Sequence, residues 1–317
     1  MKSPREKLKL TENSLSSSAL TKEKSPLIDP WGRAITHLRI SVTDKCNLTC
    51  LYCHREGHTS NKNNLSLEMI QKSVEICANY GIKYVKITGG EPLIRSDILK
   101  IVKIIAETPG IEEVSMTTNG WNLEKLAFPL REAGLNRINI GCDSLTSSIL
   151  PKTIEHISSG LRAAKKANFK MIKLNMVVLR NLNHLEIENM IDLARKKQAI
   201  LQLIELMETE DPEFFRKYWY PLDSIEEQLT QQAERIHVRS LQARKQYFLP
   251  GVIVEVVRSH QPHFCQHCNK IRITNDGYFK PCLRRDDNLV FIDSDPEKSL
   301  LEAINRRKAY VQFPDVS

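Results

Sequence analysis

Three cysteines stand close together in the run CNLTCLYC: Cys46, Cys50 and Cys53. Their intervals of four and three residues let one tight loop present three thiolates, the ligands that hold iron–sulfur cubanes. A four-iron cluster bound this way keeps one iron open to a further ligand, and chemistry would occur there. The competing reading is a tetrahedral zinc site completed by His54 or His58. A second group, Cys265, Cys268 and Cys282 in FCQHCNKIRITNDGYFKPCL, again offers three thiolates. With His263 or His267 it too could close around zinc. If it holds a cubane instead, a second iron lacks a cysteine ligand, and a substrate atom could take that position.

Such loops need a rigid frame. From Trp31 onward, short apolar β-branched runs alternate with helical stretches, which predicts βα units around a parallel sheet. Strands are expected at His37 to Thr43, Tyr84 to Thr88, Val114 to Thr118, Arg137 to Gly141, Met171 to Val178 and Leu201 to Met207. Between the strands, Ile70, Val74 and Cys77 share one helical face, and Ile98, Ile101, Val102 and Ile105 share another. Pro129 falls inside the third helical stretch, where it argues against an unbroken helix. Six units are too few to close an eightfold barrel. The expected fold is therefore α/β, a partial (βα)6 TIM-type barrel. Its polar runs sort to the carboxyl ends of the strands, where ligands gather in parallel α/β folds. After Pro221 a polar helical stretch, a strand at Val252 to Val257 and the second cysteine group predict a C-terminal α+β extension carrying a second iron–sulfur cluster. The expected division is a leader over 1–30, the barrel over 31–215, and a cluster- and substrate-binding region over 216–317.

The chain has 317 residues, 41% of them apolar, enough for a large core. Six of its eight cysteines fall in the two groups, which suits metal sites in a reducing cytoplasm better than disulfides. No signal peptide or membrane span is visible. Residues 1–26 mix six Lys or Arg with three Glu and no apolar run, so they read as a disordered leader, with organellar targeting as the lesser alternative. The net charge of +8 suits a polyanion, either nucleic acid or a nucleotide triphosphate. Long basic runs and interleaved aromatics are missing, which argues against nucleic acid.

With three thiolates bound, the open iron of the first group can chelate adjacent amino and carboxylate groups, as on the methionyl end of S-adenosylmethionine. Tyr52, between two of the cysteines, would set its ring beside the adenine or else serve as packing. Gly89 and Gly90, directly after a strand, allow close backbone approach, and Glu91 could accept from an ammonium group.

The cysteine loop and the Gly89-Gly90-Glu91-Pro92 run resemble the radical S-adenosylmethionine superfamily. That resemblance implies a partial barrel, reductive cleavage of S-adenosylmethionine and a 5′-deoxyadenosyl radical. Both cysteine groups and their order, over roughly residues 30–290, resemble the GTP 3′,8-cyclase family, also called molybdenum cofactor biosynthesis protein A. This implies two [4Fe–4S] clusters, held by Cys46, Cys50 and Cys53 and by Cys265, Cys268 and Cys282. It also implies conversion of GTP to (8S)-3′,8-cyclo-7,8-dihydroguanosine 5′-triphosphate in molybdopterin synthesis. The implied partners are an electron donor and a downstream pyranopterin-forming enzyme, and a homodimer is among the assemblies it allows. By position, Arg39, Lys86, Thr117, Lys173, Lys270, Ile271 and Arg272 match substrate contacts, Arg272 also being placed with the catalytic groups. Tyr52, Gly89, Gly90, Glu91, Gly141 and Met207 match positions bordering S-adenosylmethionine.

Departures accompany the match. Lys270 replaces the first arginine of the usual RIR, exchanging a planar fork for a point charge. Gly141 stands where serine is usual, Gln202 where arginine is common, and the chain ends in FPDVS without paired glycines. We read these as divergence within the family. The alternatives are another radical S-adenosylmethionine enzyme acting on a peptide or nucleotide with an auxiliary cluster, and a zinc-binding nucleic-acid module. The latter would not explain Gly89 to Pro92 at a strand end. Cys77 and Cys142 read as packing residues.

Overall fold

The computed structural model describes residues 24–57, 64–146, 149–208 and 211–309. His58, the first 23 residues of the expected leader and the FPDVS terminus lie outside this set. Residues 24–30 pack against the rest of the protein: the Lys24 amide donates to Asn79 O at 3.0 Å, and Leu27 and Asp29 are buried.

Six parallel strands lie where the alternating pattern places them: β1 (His37–Ser41), β2 (Tyr84–Thr88), β3 (Glu113–Thr118), β4 (Arg137–Gly141), β5 (Met171–Val178) and β6 (Ile200–Glu205). β1 and β6 each stop two residues before the expected end, because Val42-Thr43 and Leu206-Met207 already turn into loops over the sheet. The connecting helices are α1 (Leu67–Asn79), α2 (Ile98–Glu107), α3 (Leu123–Glu132), α4 (Ile154–Lys166) and α5 (Ile187–Lys196). Ser66 caps α1 by accepting from Met69 N at 3.1 Å, and the apolar faces predicted for α1 and α2 are buried. α3 runs through Pro129. The ring forfeits one backbone bond, while buried Leu123, Ala127 and Leu130 keep the helix seated on the sheet.

The remaining elements are α6 (Pro212–Tyr218), α7 (Asp223–Gln232), β7 (Arg235–Val238), β8 (Lys245–Leu249), β9 (Val252–Val257), α8 (Pro262–Gln266), β10 (Lys270–Ile273), β11 (Tyr278–Lys280), β12 (Val290–Phe291) and α9 (Pro296–Asn305). Together the strands form one sheet in the order β12-β11-β10-β1-β2-β3-β4-β5-β6-β9-β8-β7. β9 adds parallel to β6, with Gln202 opposite Glu255. β10 adds parallel to β1, with Arg39 opposite Arg272. Strands from beyond residue 215 thus continue the barrel sheet at both of its ends. No helix among the described residues is long and apolar enough to cross a membrane.

Candidate active site

The first cysteine group sits in the loop after β1, and the glycine pair after β2 fixes it there. Gly90 N donates to Thr43 O at 2.6 Å, and Glu91 N donates to Lys45 O at 2.8 Å. A Cβ on Gly89 would come within 2.5 Å of Thr43 O, and one on Gly90 within 2.1 Å of Lys45 O. The close approach that these glycines permit is therefore to the backbone leading into Cys46. Glu91 is buried and its carboxylate accepts from Leu93 N at 3.0 Å, Thr118 Oγ1 at 2.6 Å and Asn119 N at 2.6 Å. It ties the loop after β2 to the loop after β3. Asn119 in turn donates to Asn47 Oδ1 at 2.8 Å, inside the cysteine loop.

Tyr52 is buried in a small apolar cluster with Leu150, Leu179, Leu206 and Phe215. Its hydroxyl donates to Asp143 and accepts from Lys152 Nζ at 2.6 Å. Asp143, fully buried, also accepts from Val177 N at 3.0 Å. The ring is thus an anchor for the cysteine loop. Gly141 lies beside the same group, where a Cβ would meet Lys152 Cδ at 2.5 Å. Glycine at this position leaves room for the lysine.

Burial pushes the Cys50 thiol up to about 11, with Lys152 opposing, and burial also raises Cys46, with Glu91 and then Cys53 adding to it. Buried thiols such as Cys46 and Cys50 lose their protons to a cationic metal centre on binding. Tetrahedral zinc would take a fourth protein ligand gathered with the three thiolates on one ion. A cubane makes no such demand, since each thiolate takes its own iron.

The second cysteine group lines a cavity of about 260 Å³, together with Arg39, Lys86, Thr117, Lys173, Met207, Lys270 and Arg272. All are residues expected at the site from sequence. Ile271 is fully buried behind them in the core. His54, next to Cys53, also reaches the cavity, and Gln202 does so from β6. Thirteen Lys or Arg side chains line this space against one carboxylate, Glu113, which pairs with Arg137 at 2.5 Å. The field is felt throughout. Burial, then Lys270, Arg239 and Arg244, bring His37 down to about 3, and burial with neighbouring cations drives Lys86 and Lys270 well below the usual lysine range. Such a surface calls for an anion of several charges.

Sequence reasoning missed three carboxylates that organise these cations. Glu56 accepts from Arg39, from Arg272 Nη1 at 3.3 Å and from Thr88 Oγ1 at 3.0 Å. Burial alone would raise its carboxyl, yet Arg39, His54 and Arg272 bring it down to about 2. Its φ of +53°, rare for a side chain of this size, follows Arg55 at +47°. Glu255, on β9, gathers Lys173, Arg239 and Arg244. Asp29 receives Arg33 Nε at 2.6 Å and Arg307 Nε at 2.8 Å. Arg307 also donates to the carbonyls of Cys268 at 2.7 Å and Pro281 at 2.9 Å. Burial raises the Cys268 thiol, but Arg307 and Lys270 outweigh it and hold it below the ordinary value, which favours the thiolate a metal needs. Glu56 alone had a sequence signal, since it follows Cys53 so closely.

Comparison with known proteins accords with this geometry. The Radical SAM superfamily pattern matches residues 40–194, and the Molybdenum Cofactor Synthesis C pattern matches residues 199–310. A probable GTP 3′,8-cyclase of Methanosarcina mazei is 43% identical over 91% of this chain and 91% of its own length. One from Pyrococcus abyssi is 44% identical over 84% of this chain and 90% of its own. The chain belongs to the GTP 3′,8-cyclase family. A [4Fe–4S] cluster and S-adenosylmethionine come with membership of the radical S-adenosylmethionine superfamily. Among solved structures, Streptococcus suis SuiB bound to S-adenosylmethionine superposes with a TM-score of 0.64 at 15% identity, covering 85% of this chain and 66% of its own. Native anSMEcpe with bound AdoMet gives 0.60 at 16% identity, covering 87% and 82%. At such identities the likeness is one of fold, the partial TIM barrel. Arg39, Lys86, Lys173, Arg272, Lys270 and Gln202 all stand on the cavity wall.

Proposed function

We propose that this protein is a radical S-adenosylmethionine lyase that converts GTP to (8S)-3′,8-cyclo-7,8-dihydroguanosine 5′-triphosphate in molybdenum cofactor biosynthesis. One observation carries the reading: Cys265, Cys268 and Cys282 line the same cation-walled cavity as Arg39, Lys86, Lys173, Lys270 and Arg272. The cavity therefore offers a place for an auxiliary [4Fe–4S] cluster and a place for a polyphosphate side by side. The cluster at Cys46, Cys50 and Cys53 supplies, when bound, the electron that cleaves S-adenosylmethionine. This chain's own side chains do the rest.

Arg39 and Arg272, on adjacent strands and gathered by Glu56, present paired guanidinium groups to an anion between the two cysteine loops. Lys173 and Lys86 extend the positive wall along the barrel floor. Met207 and Thr117, at strand ends on the cavity rim, give apolar and hydroxyl surface to the nucleoside. Tyr52, Gly89, Gly90, Glu91 and Gly141 support S-adenosylmethionine binding by fixing the loop that carries the first thiolates. An electron donor and an enzyme consuming the cyclic nucleotide complete the proposed partners, in a reducing cytoplasm.

The test is anaerobic. Protein reconstituted with iron and sulfide is given S-adenosylmethionine, reductant and GTP, and the products are read by mass spectrometry. The expected result is 5′-deoxyadenosine with a cyclised guanosine triphosphate. A cluster-loaded preparation that yields neither would overturn the reading, and stoichiometric zinc at the second group would remove the auxiliary cluster from it.

A further inference from the structure

We propose that Arg239 and Arg244, gathered with Lys173 on the buried carboxylate of Glu255, form a subsite for the terminal phosphates of the nucleoside triphosphate, with Glu255 as their positioning residue. This rests on the reading of GTP as substrate and names side chains outside the six barrel strands for the tail of that substrate.

Four observations carry it. First, the group is built from separate elements that meet at one atom pair. Lys173 Nζ of β5 lies 2.6 Å from Glu255 Oε2, Arg244 Nη1 lies 2.8 Å from Oε1, and Arg239 Nη1 lies 3.2 Å from Oε2. Second, the charges do not cancel. Three cations face one carboxylate, and all three line the cavity. A purely structural hub would more readily pair charges one to one, because unmatched buried charge is costly. Third, the hairpin turn holding both arginines is strained: Gln242 and Ala243 have φ of +59° and +48°. Arg239 N donates to Arg244 O at 2.9 Å across that turn, so the two guanidinium groups leave it together. Such outliers persist only where the surroundings enforce them. Fourth, the turn is tied to the second cysteine group. Gln242 N donates to His267 O at 2.9 Å, and Lys270 Nζ donates to Gln242 Oε1 at 2.8 Å. The subsite is therefore held in register with the second cysteine group. Burial brings Lys173 down to about 8 despite Glu255, so its charge is poised to be strengthened by an arriving anion.

The experiment measures anaerobic binding of GTP, guanosine and inorganic tripolyphosphate to the cluster-loaded protein and to Arg239→Ala, Arg239→Lys and Glu255→Gln. Arg239, with 21% of its side chain exposed, is the member most tolerant of change. Arg239→Ala is expected to weaken GTP and tripolyphosphate by about tenfold or more while leaving guanosine unchanged, the loss of a charge-assisted bond. Arg239→Lys should recover most of that loss. Glu255→Gln should shift GTP in the same direction with guanosine unchanged, whereas a merely structural carboxylate would alter both ligands together. Equal GTP affinity in wild type and Arg239→Ala would overturn the subsite alone. Wild-type protein that binds tripolyphosphate no better than guanosine, and GTP not at all, would overturn the substrate reading and the subsite with it.

Discussion

Arg272 and Glu56 form an ion pair at 3.3 Å across 216 residues of chain, joining the loop of the first cysteine group to the strand that follows Cys268. Arg39 completes the bridge from β1. A substrate that sits between the two cysteine groups would be held by guanidinium groups whose aim depends on this carboxylate.

Glu56→Ala should therefore loosen both arginines without removing a thiolate. The expected outcome is a KM for GTP raised about tenfold or more, from broken buried pairing, and 5′-deoxyadenosine formed in excess of cyclised product. Product ratios from one anaerobic time course check it. A variant with wild-type coupling would show that Glu56 only packs.

Gly90→Ala places a methyl group where Lys45 O stands, 2.1 Å from the ideal Cβ position. Moving the chain at Thr43 to Lys45 costs about 1–3 kcal/mol and displaces Cys46. Iron at the first group should fall while the second group keeps its own. Were the glycine serving ligand approach instead, iron would be retained and only S-adenosylmethionine binding would suffer.

Cys282→Ala separates the two centres. GTP turnover should fall to background while some S-adenosylmethionine cleavage continues without coupling. Loss of iron from both groups would contradict that division.

Much of this frame was legible in the residues. Strands at Tyr84 to Thr88 and Met171 to Val178 show as β-branched runs bounded by turns, and the structure keeps both ranges. Arg39, Lys86 and Lys173 stood out because they match substrate contacts of the family that the chain resembles. Arg239 and Arg244 did not, for they sit in a polar stretch where a charge is the ordinary case. Pairings such as Glu56 with Arg272 or Gly90 with Lys45 depend on strand order, which local pattern does not encode. The same holds for β9 and β10, whose partners β6 and β1 are fixed by register in space.

Glu205 supplies a pH test. It is 1% exposed at the end of β6, and burial raises its carboxyl from 4.5 to about 7, opposed by Arg258 at 3.9 Å. The folded chain therefore holds a proton that the unfolded chain releases, and the stability this confers is complete below pH 4.5 and lost as pH rises through about 7. Glu205→Gln carries no such loss. Its stability relative to wild type should improve on going from pH 5 to pH 8 by on the order of 2 kcal/mol, read by denaturant unfolding. A difference independent of pH would place the proton elsewhere.

The chain passes from β9, at one end of the parallel run, straight to β10 at the other, through residues 258–269 that carry Cys265 and Cys268. This short connection works like the buckle of an open hoop. Metal gripped there by Cys265, Cys268 and Cys282 would pin the tongue of that buckle to the β10 and β11 side of the hoop.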